Sequence, residues 1–355
     1  MTKRIRRILF WSIVAIFIMV TPLFFAYSFG YFFDFSQWHW IKTGSIYLGS
    51  SPSGAQVYLN DKLAAGKTPV LLKHLKPGHY TIRIVKDSFA SWEKTVGVVS
   101  YQVTEFRQIF LPQKEPALSL VGATEAKKML LFVAPAEKMA DAQNYLNQQK
   151  INYTGLTLDS DKFYFLKKPG LTLFQKNFTD TDKPQQLSLT NLDTCDCSLG
   201  EPQIILGAKG KISLITPEKD LLLLDNQDFR LVQRQVKAAG FDQWADKLFI
   251  STLTNELWVY FLAPTGSQPF HSAGENIFLT RFSTPIGAVA WYLDNHQILF
   301  EHDHRLKMIE IDNRDSKNIF DLLPVRDTEI FADFNAQKIY LKNENQIYSL
   351  GLKKT

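Results

Sequence analysis

The chain has 355 residues, more than one average domain needs, and 45% of them are hydrophobic against 21% charged. That composition excludes a wholly disordered chain and a polytopic membrane protein. The 40 Lys and Arg against 35 Asp and Glu give +5, and four of the cations, Lys3, Arg4, Arg6 and Arg7, precede the first acid, Asp34; the body downstream is left near +1 (5 − 4), a poor surface for nucleic acid, whose binding rests on phosphate contacts.

Residues 8–33 carry no formal charge, and about 20 apolar residues suffice to cross a bilayer as a helix. The spacing therefore predicts a basic cytoplasmic tail at 1–7 and a transmembrane helix at 8–33, the lipid bilayer being its partner. Pro22 is the one helix-breaking residue in it and is tolerated where neighbouring groups satisfy the freed carbonyl. Cations before the helix place the N-terminus in the cytoplasm and the body, about 320 residues, outside. The alternative is a cleaved signal peptide ending at Ala26-x-Ser28, although the apolar run is longer than the roughly 7–15 residues of a signal core. Tyr31, Phe32, Phe33, Phe35, Trp38 and Trp40 follow. Such rings concentrate at headgroup level, so 34–43 reads as an aromatic juxtamembrane linker.

From 44 to 112 the pattern alternates with period two. Ala55, Val57 and Leu59 oppose Gln56, Tyr58 and Asn60, and Tyr80, Ile82 and Ile84 oppose Thr81, Arg83 and Val85, as half-buried strands do. Pro52-Ser53-Gly54 fits a type I turn and Pro77-Gly78 a type II turn. A small antiparallel β-sandwich is expected. Gly66-Lys67-Thr68 copies the end of a phosphate-binding loop, but the Gly that such a loop needs five positions earlier is Asp61, so a hairpin turn is the better reading.

These residues resemble a PEGA domain. The resemblance runs from Gly44-Ser45-Ile46-Tyr47-Leu48 through Ser51-Pro52-Ser53-Gly54-Ala55, Gly66-Lys67-Thr68-Pro69 and Pro77-Gly78-His79-Tyr80 to Leu111. It departs at Ser53, where the family has Glu, and at Ser88-Phe89, where Gly-Tyr is usual. Pro52, Ser53, Gly54, Ala55, Gly66, Thr68, Pro69, Pro77 and Gly78 carry the motif as structural residues. The resemblance implies a surface location in the cell envelope and contact with envelope material, and it implies no catalytic residue.

After a linker at 113–117, residues 118–355 repeat. Strand-like segments begin at Lys162, Lys211, Lys247, Gln297 and Lys338, and a second strand follows each after 9 or 10 residues, at Leu171, Leu221, Leu257, Leu306 and Ile347. A constant hairpin joined by variable loops, with further strands such as 288–293 and 329–334 before it and 278–282 and 318–321 after it, matches four strands per propeller blade. This spacing resembles, loosely, WD-repeat-like and Tol-type periplasmic propellers. Five blades are visible. Lys128 to Val133 offers the start of a sixth, and Leu118 to Val121 a strand to complete the last and close the ring. Two long divergent sandwiches are the alternative. Met139, Ala142, Tyr145 and Leu146 predict an amphipathic helix at 136–149.

Chemistry is sparse. His302-Asp303-His304 with Glu301 would put two imidazoles on one face of a strand, as metal sites require, but the residues fall between paired strands, where a polar hairpin tip is the plainer reading. Cys195-Asp196-Cys197 holds the only two cysteines. A disulfide between Cys195 and Cys197 needs a local turn, free thiols are the alternative, and a zinc site lacks its second ligand pair. Asp180-Thr181-Asp182 and Asp312 to Asp315 read as polar turns ahead of calcium sites. No nucleophile elbow, zinc helix, dinucleotide or EF-hand motif is present, so no catalytic residue, cofactor or metal site is expected. The sequence thus predicts an outward-facing, membrane-anchored envelope protein that binds polymer or partner proteins. An extracytoplasmic propeller enzyme acting on glycan or peptide, and an accessory hub of an envelope machine, are the alternatives.

Overall fold

The computed structural model describes residues 3–34, 38–122, 136–179, 182–189, 199–343 and 346–352. The chain divides into two compact units, residues 1–112 with 314–316, and the remainder.

The first unit begins with α1 (Lys3–Ser28), none of whose residues is buried by the rest of the protein. Its uncharged part, 8–28, rises about 31 Å, matching the roughly 30 Å hydrocarbon core of a bilayer. Thr21 Oγ1 donates to Phe17 O at 2.6 Å just before Pro22. The helix stops five residues short of the boundary expected from the charge pattern. Residues 31–33 instead enter a two-stranded ribbon, β1 (Tyr31–Asp34) and β2 (His39–Lys42), so most of the described part of the expected linker is strand.

The β module follows as two sheets. One contains β3 (Gly44–Ser51), β6 (Val70–Leu75) and β9 (Val103–Phe110) in the order 6-3-9, and the other β4 (Gln56–Leu59), β5 (Lys62–Ala65), β7 (Gly78–Val85) and β8 (Trp92–Val98) in the order 5-4-7-8. Ile46, Leu48, Ala55, Val57, Ile82, Ile84 and Trp92 fill the space between them, as the period-two pattern requires. The sandwich is not wholly antiparallel, because β3 and β9 pair in parallel, Ser45 beside Val103 through Ser51 beside Phe110. Both expected turns also differ. The Gly54 N–H, which would close a type I turn on Ser51 O, donates instead to Thr68 O at 2.9 Å, while Ser51 O accepts from Leu111. Before β7 the positive-φ residues are His74 and Gly78, the latter at +153° rather than the value near +80° of a type II turn.

The second unit holds five four-stranded antiparallel sheets among the described residues. They are β11–β14 (Tyr153–Leu158, Lys162–Lys167, Thr172–Asn177, Gln185–Gln186), β15–β18 (Gln203–Leu206, Ile212–Ile215, Leu221–Asp225, Asp228–Gln233), β19–β22 (Val236–Phe241, Lys247–Thr252, Glu256–Phe261, Asn276–Arg281) and β23–β26 (Ile286–Trp291, Gln297–His302, Arg305–Glu310, Ile319–Pro324). The fifth contains β27 (Glu329–Asp333), β28 (Lys338–Asn343) and β29 (Gln346–Gly351), completed at its outer edge by β10 (Ala117–Leu120). The first strands of successive sheets lie side by side, and apolar clusters fill the gaps, such as Tyr164, Leu166 and Leu173 against Ile204, Ile212 and Leu214. This is a β-propeller, closed at its last blade by a strand from the start of the domain. The start of a sixth blade at Lys128 lies outside the described residues. The expected helix is α2 (Ala136–Gln148), which buries Ala142 and Leu146 against Phe163 and Phe165.

A carboxylate punctuates four of the blades. Asp159, Asp242, Asp294 and Asp333 sit at or just beyond the end of the first strand and accept a backbone N–H from the turn, at 2.6, 2.8, 3.0 and 2.8 Å. Short polar side chains that bond to the backbone in this way fix tight turns. In these four blades the second strand starts three or five residues later, at Lys162, Lys247, Gln297 and Lys338.

Candidate functional site

The motif residues of the small module are structural. Thr68 is buried, its Oγ1 lies 2.6 Å from Ser50 Oγ, and it accepts the Ala55 N–H at 3.1 Å. Its carbonyl accepts the Gly54 N–H at 2.9 Å, and Gly54 holds φ +75°, which Gly reaches without steric cost. Ser50 Oγ also donates to Pro52 O at 2.8 Å. Ser53 O accepts from Lys86 Nζ at 2.8 Å, Thr68–Pro69 is cis, and Gly66 faces open space. The Gly-Lys-Thr run thus closes a turn of the module, with its hydroxyl already engaged by protein groups. Pro77 and Gly78 are exposed and lead into β7.

Cys195 and Cys197 lie outside the described residues, as do Asp180 and Thr181. Among the described residues no group of three or more His, Cys, Asp or Glu side chains is placed to hold a metal ion. The two imidazoles do not share a strand face. His302 ends β24, whereas Asp303 and His304 form the two-residue turn to β25 with φ +50° and +56°, the type I′ geometry favoured for hairpins. His304 is exposed; the His302 side chain is only 8% exposed.

That hairpin forms one wall of a cavity of about 240 Å³ between the third and fourth blades, completed by Lys237, Thr284, Pro285, Ile286 and Gly287. Two bulges shape it. The β19–β20 register shifts between Val236 and Ala238, leaving Lys237 out of the ladder, and the β23–β24 register shifts between Ile286 and Val289. Bulges re-aim side chains in this way beside functional sites. Lys237 Nζ donates to Ile286 O across the blades. A Cβ on Gly287 would stand 2.6 Å from Glu301 Oε2, so glycine here makes room for the Glu301 carboxylate to lie over the backbone.

The hydrogen-bond order within the cavity follows from donor counting. Thr284 Oγ1 donates to Asp303 Oδ1 at 2.7 Å. The 2.8 Å contact between Thr284 Oγ1 and His302 Nε2 is then made by a ring proton on Nε2. In the neutral ring Nδ1 is a bare acceptor, buried without a hydrogen bond, with Asp303 Oδ2 3.6 Å away. Phe282 stacks on the ring at 4.0 Å. Thr284 Oγ1 thus joins the His302 ring and the Asp303 carboxylate in one hydrogen-bonded chain. The cavity presents the carboxylates of Glu301 and Asp303 beside the Lys237 ammonium. It suits hydroxyl or amine donors of a group of monosaccharide or side-chain size, since whole-cofactor pockets run to about 300–1,000 Å³.

Of these residues the sequence exposes the His302 to His304 run and Glu301. Lys237, Thr284 and Gly287 were missed. Gly287 carried a signal, a glycine inside a strand after Pro285, which marks a bulge or a close approach.

A second polar network joins the same two blades. Asp242, fully buried, accepts the N–H of Asp246 and Lys247 at 2.8 and 3.0 Å and pairs with Lys247 Nζ at 3.2 Å. Trp291 Nε1 donates to Gly240 O at 2.9 Å, and Asn295 Oδ1 accepts the Gln243 N–H at 3.1 Å. Burial, reinforced by the Lys247 cation and opposed by Asp312, lowers the His296 imidazole to about 4.

Compared with known proteins, residues 43–114 match the PEGA domain family. No curated protein matches the sequence. Among solved structures, the β-propeller domain of Cps50 (Swd1) from Myceliophteria thermophila aligns at 10% identity and TM-score 0.40, over 57% of this chain and 71% of that one. A putative TolB from Agrobacterium tumefaciens aligns at 8% identity and TM-score 0.38, over 54% and 69%. The C-terminal WD40 domain of Sif2 aligns at 12% identity and TM-score 0.37, over 56% of each chain. The propeller assignment itself rests on the sheet order and the closing strand described above.

Proposed function

We propose that this chain is a single-pass membrane protein with its N-terminus in the cytoplasm and its PEGA module and propeller outside, where it binds envelope polymer or envelope proteins as a scaffold. The observation that carries this reading is α1. Its uncharged length matches a bilayer, four cations stand at its N-terminal end, none of its residues is buried among the described residues, and a PEGA module follows within two dozen residues. The acceptor-rich cavity between the third and fourth blades supports binding of a hydroxylated or amino-bearing group.

The test is co-sedimentation of the purified protein with isolated envelopes, before and after protease treatment of those envelopes. Binding that survives protease supports a polymer ligand; binding that disappears makes a protein-binding hub the correct form of the reading. No binding to either preparation, or cleavage of the body by protease supplied only to the cytoplasmic face, overturns it.

A further inference from the structure

We propose that the β1–β2 ribbon and two adjoining turns of the PEGA module, 73–77 and 99–102, form a lipid-docking face that sits in the phosphate-bearing headgroup layer of the membrane crossed by α1. This inference rests on the anchor reading above and extends it to a part of the chain that does not cross the bilayer.

The first ground is an apolar surface without a covering layer. The ribbon is a sheet of its own, with Tyr31 opposite Lys42, Phe32 opposite Ile41 and Phe33 opposite Trp40. Side chains alternate between faces, so Phe32 and Ile41 share one face while Phe33 and Trp40 occupy the other. Phe33 meets Trp38 and Trp40 edge-on, with centroids 6.0 and 5.2 Å apart, yet Trp38 stays 80% exposed and Trp40 45%. A two-stranded ribbon is marginal in water and needs a further layer. Tyr101 covers Tyr31 edge-on at 6.0 Å and leaves the tryptophans open.

The second ground is position. Thr43 N–H and Oγ1 donate to Gly30 O at 2.8 and 2.7 Å, which pins the root of the ribbon two residues past the end of α1. Tyr27, in the last turn of the helix, stacks on His74 at 4.2 Å. Tyr101 N–H donates to Thr43 O at 2.9 Å, and Ser100 Oγ to Lys42 O at 3.1 Å. Helix end, ribbon and both turns therefore converge where the chain leaves the hydrocarbon. Strands of this length reach about 13 Å, so the ribbon cannot stray far from the interface.

The third ground is charge. Lys42, Lys73 and Lys76 are exposed in this region, segments 38–43, 70–83 and 99–104 contain no acid, and the ribbon carries one, Asp34 at the end of β1. Indole and phenol rings interleaved with lysine suit an interface of acyl glycerol and phosphate. Through α1, chain connectivity delivers the bilayer to this face.

The test uses the full chain in vesicles of phosphatidylcholine with or without phosphatidylglycerol, carrying a quencher attached near the lipid headgroup. The emission of Trp38 and Trp40 is the difference between the native chain and the W38F/W40F variant. The expected result is that at least about half of that emission is quenched by lipid. In the anionic vesicles, K42Q/K73Q/K76Q should weaken docking by about fivefold per cation. Emission that lipid does not quench and aqueous acrylamide does quench overturns the proposal, and it would point instead to a protein occupant that pure vesicles lack. Trp11, inside α1, is the internal reference. If a quencher on the acyl chains leaves Trp11 untouched, it is the anchor reading that fails. Hydrogen exchange of amides 31–42 in the native chain supplies a measurement free of substitutions, with protection in vesicles above that in detergent expected and equal exchange in both counting against docking.

Discussion

Acidification should unfasten the propeller at His296. The imidazole titrates near 6.5 in an unfolded chain and is held down to about 4 in the fold, by burial first and by the Lys247 cation second, against the pull of Asp312. Between these values the unfolded chain binds the proton and the folded one does not, so stability falls as the pH drops from about 6.5 towards about 4 and is unaffected above that window. At about 1.4 kcal/mol per pH unit, the loss at pH 4.5 is at most about 2.5 kcal/mol. For a domain of this size that corresponds to a fall in Tm of roughly 5–10 °C. The assay is thermal unfolding of the native chain and of H296Q in detergent, followed by near-ultraviolet circular dichroism at pH 7 and pH 4.5. H296Q should lose less stability over this interval than the native chain, since carboxylates elsewhere act equally on both and cancel in the comparison. Equal losses in the two proteins would refute the reasoning.

Three other outcomes follow from the geometry. D242N leaves the Lys247 ammonium without its buried counter-ion and should cost about 3–5 kcal/mol in urea unfolding, the usual range when one partner of such a pair is removed. G287A should cost about 1–3 kcal/mol through overpacking against the Glu301 carboxylate, and much less when E301A is already present; a double-mutant cycle reads that coupling, and additive effects would show that the contact is relaxed elsewhere. T68V strands the Ala55 N–H and should destabilise the PEGA module by about 1–3 kcal/mol. Titration of the native chain with ATP should show no binding that depends on Thr68, as expected of a turn rather than a phosphate loop.

The propeller was legible because each blade repeats a hairpin whose second strand begins at or one residue after a Lys or Gln, and because Leu118 stood where an unpaired edge needed it. The helix at 136–148 was legible from its 3.6-residue spacing alone. The parallel pairing of β3 with β9 was not, since alternation tells which face a side chain takes and nothing about which strand lies beside it. The ribbon at 31–42 was hidden by an aromatic run that continues the hydropathy of the helix. The cavity was hidden for another reason. Lys237, Thr284, Gly287 and Glu301 come from three stretches of chain, and two register shifts bring them together. Backbone bulges of that kind leave only a glycine as their trace.

The closing strand also sets the order in which the domain can be completed. Leu118 pairs with Leu350 and Ala117 with Gly351, so β10, made before the other described strands of the propeller, has no ladder partner until β29 has been made. Contacts between such distant residues bear the largest loop-closure cost and form late. Until then β10 is a bare strand, and the outer edge of β29 is a site where another chain can add. Nascent and C-terminally truncated forms should accordingly be the aggregation-prone species.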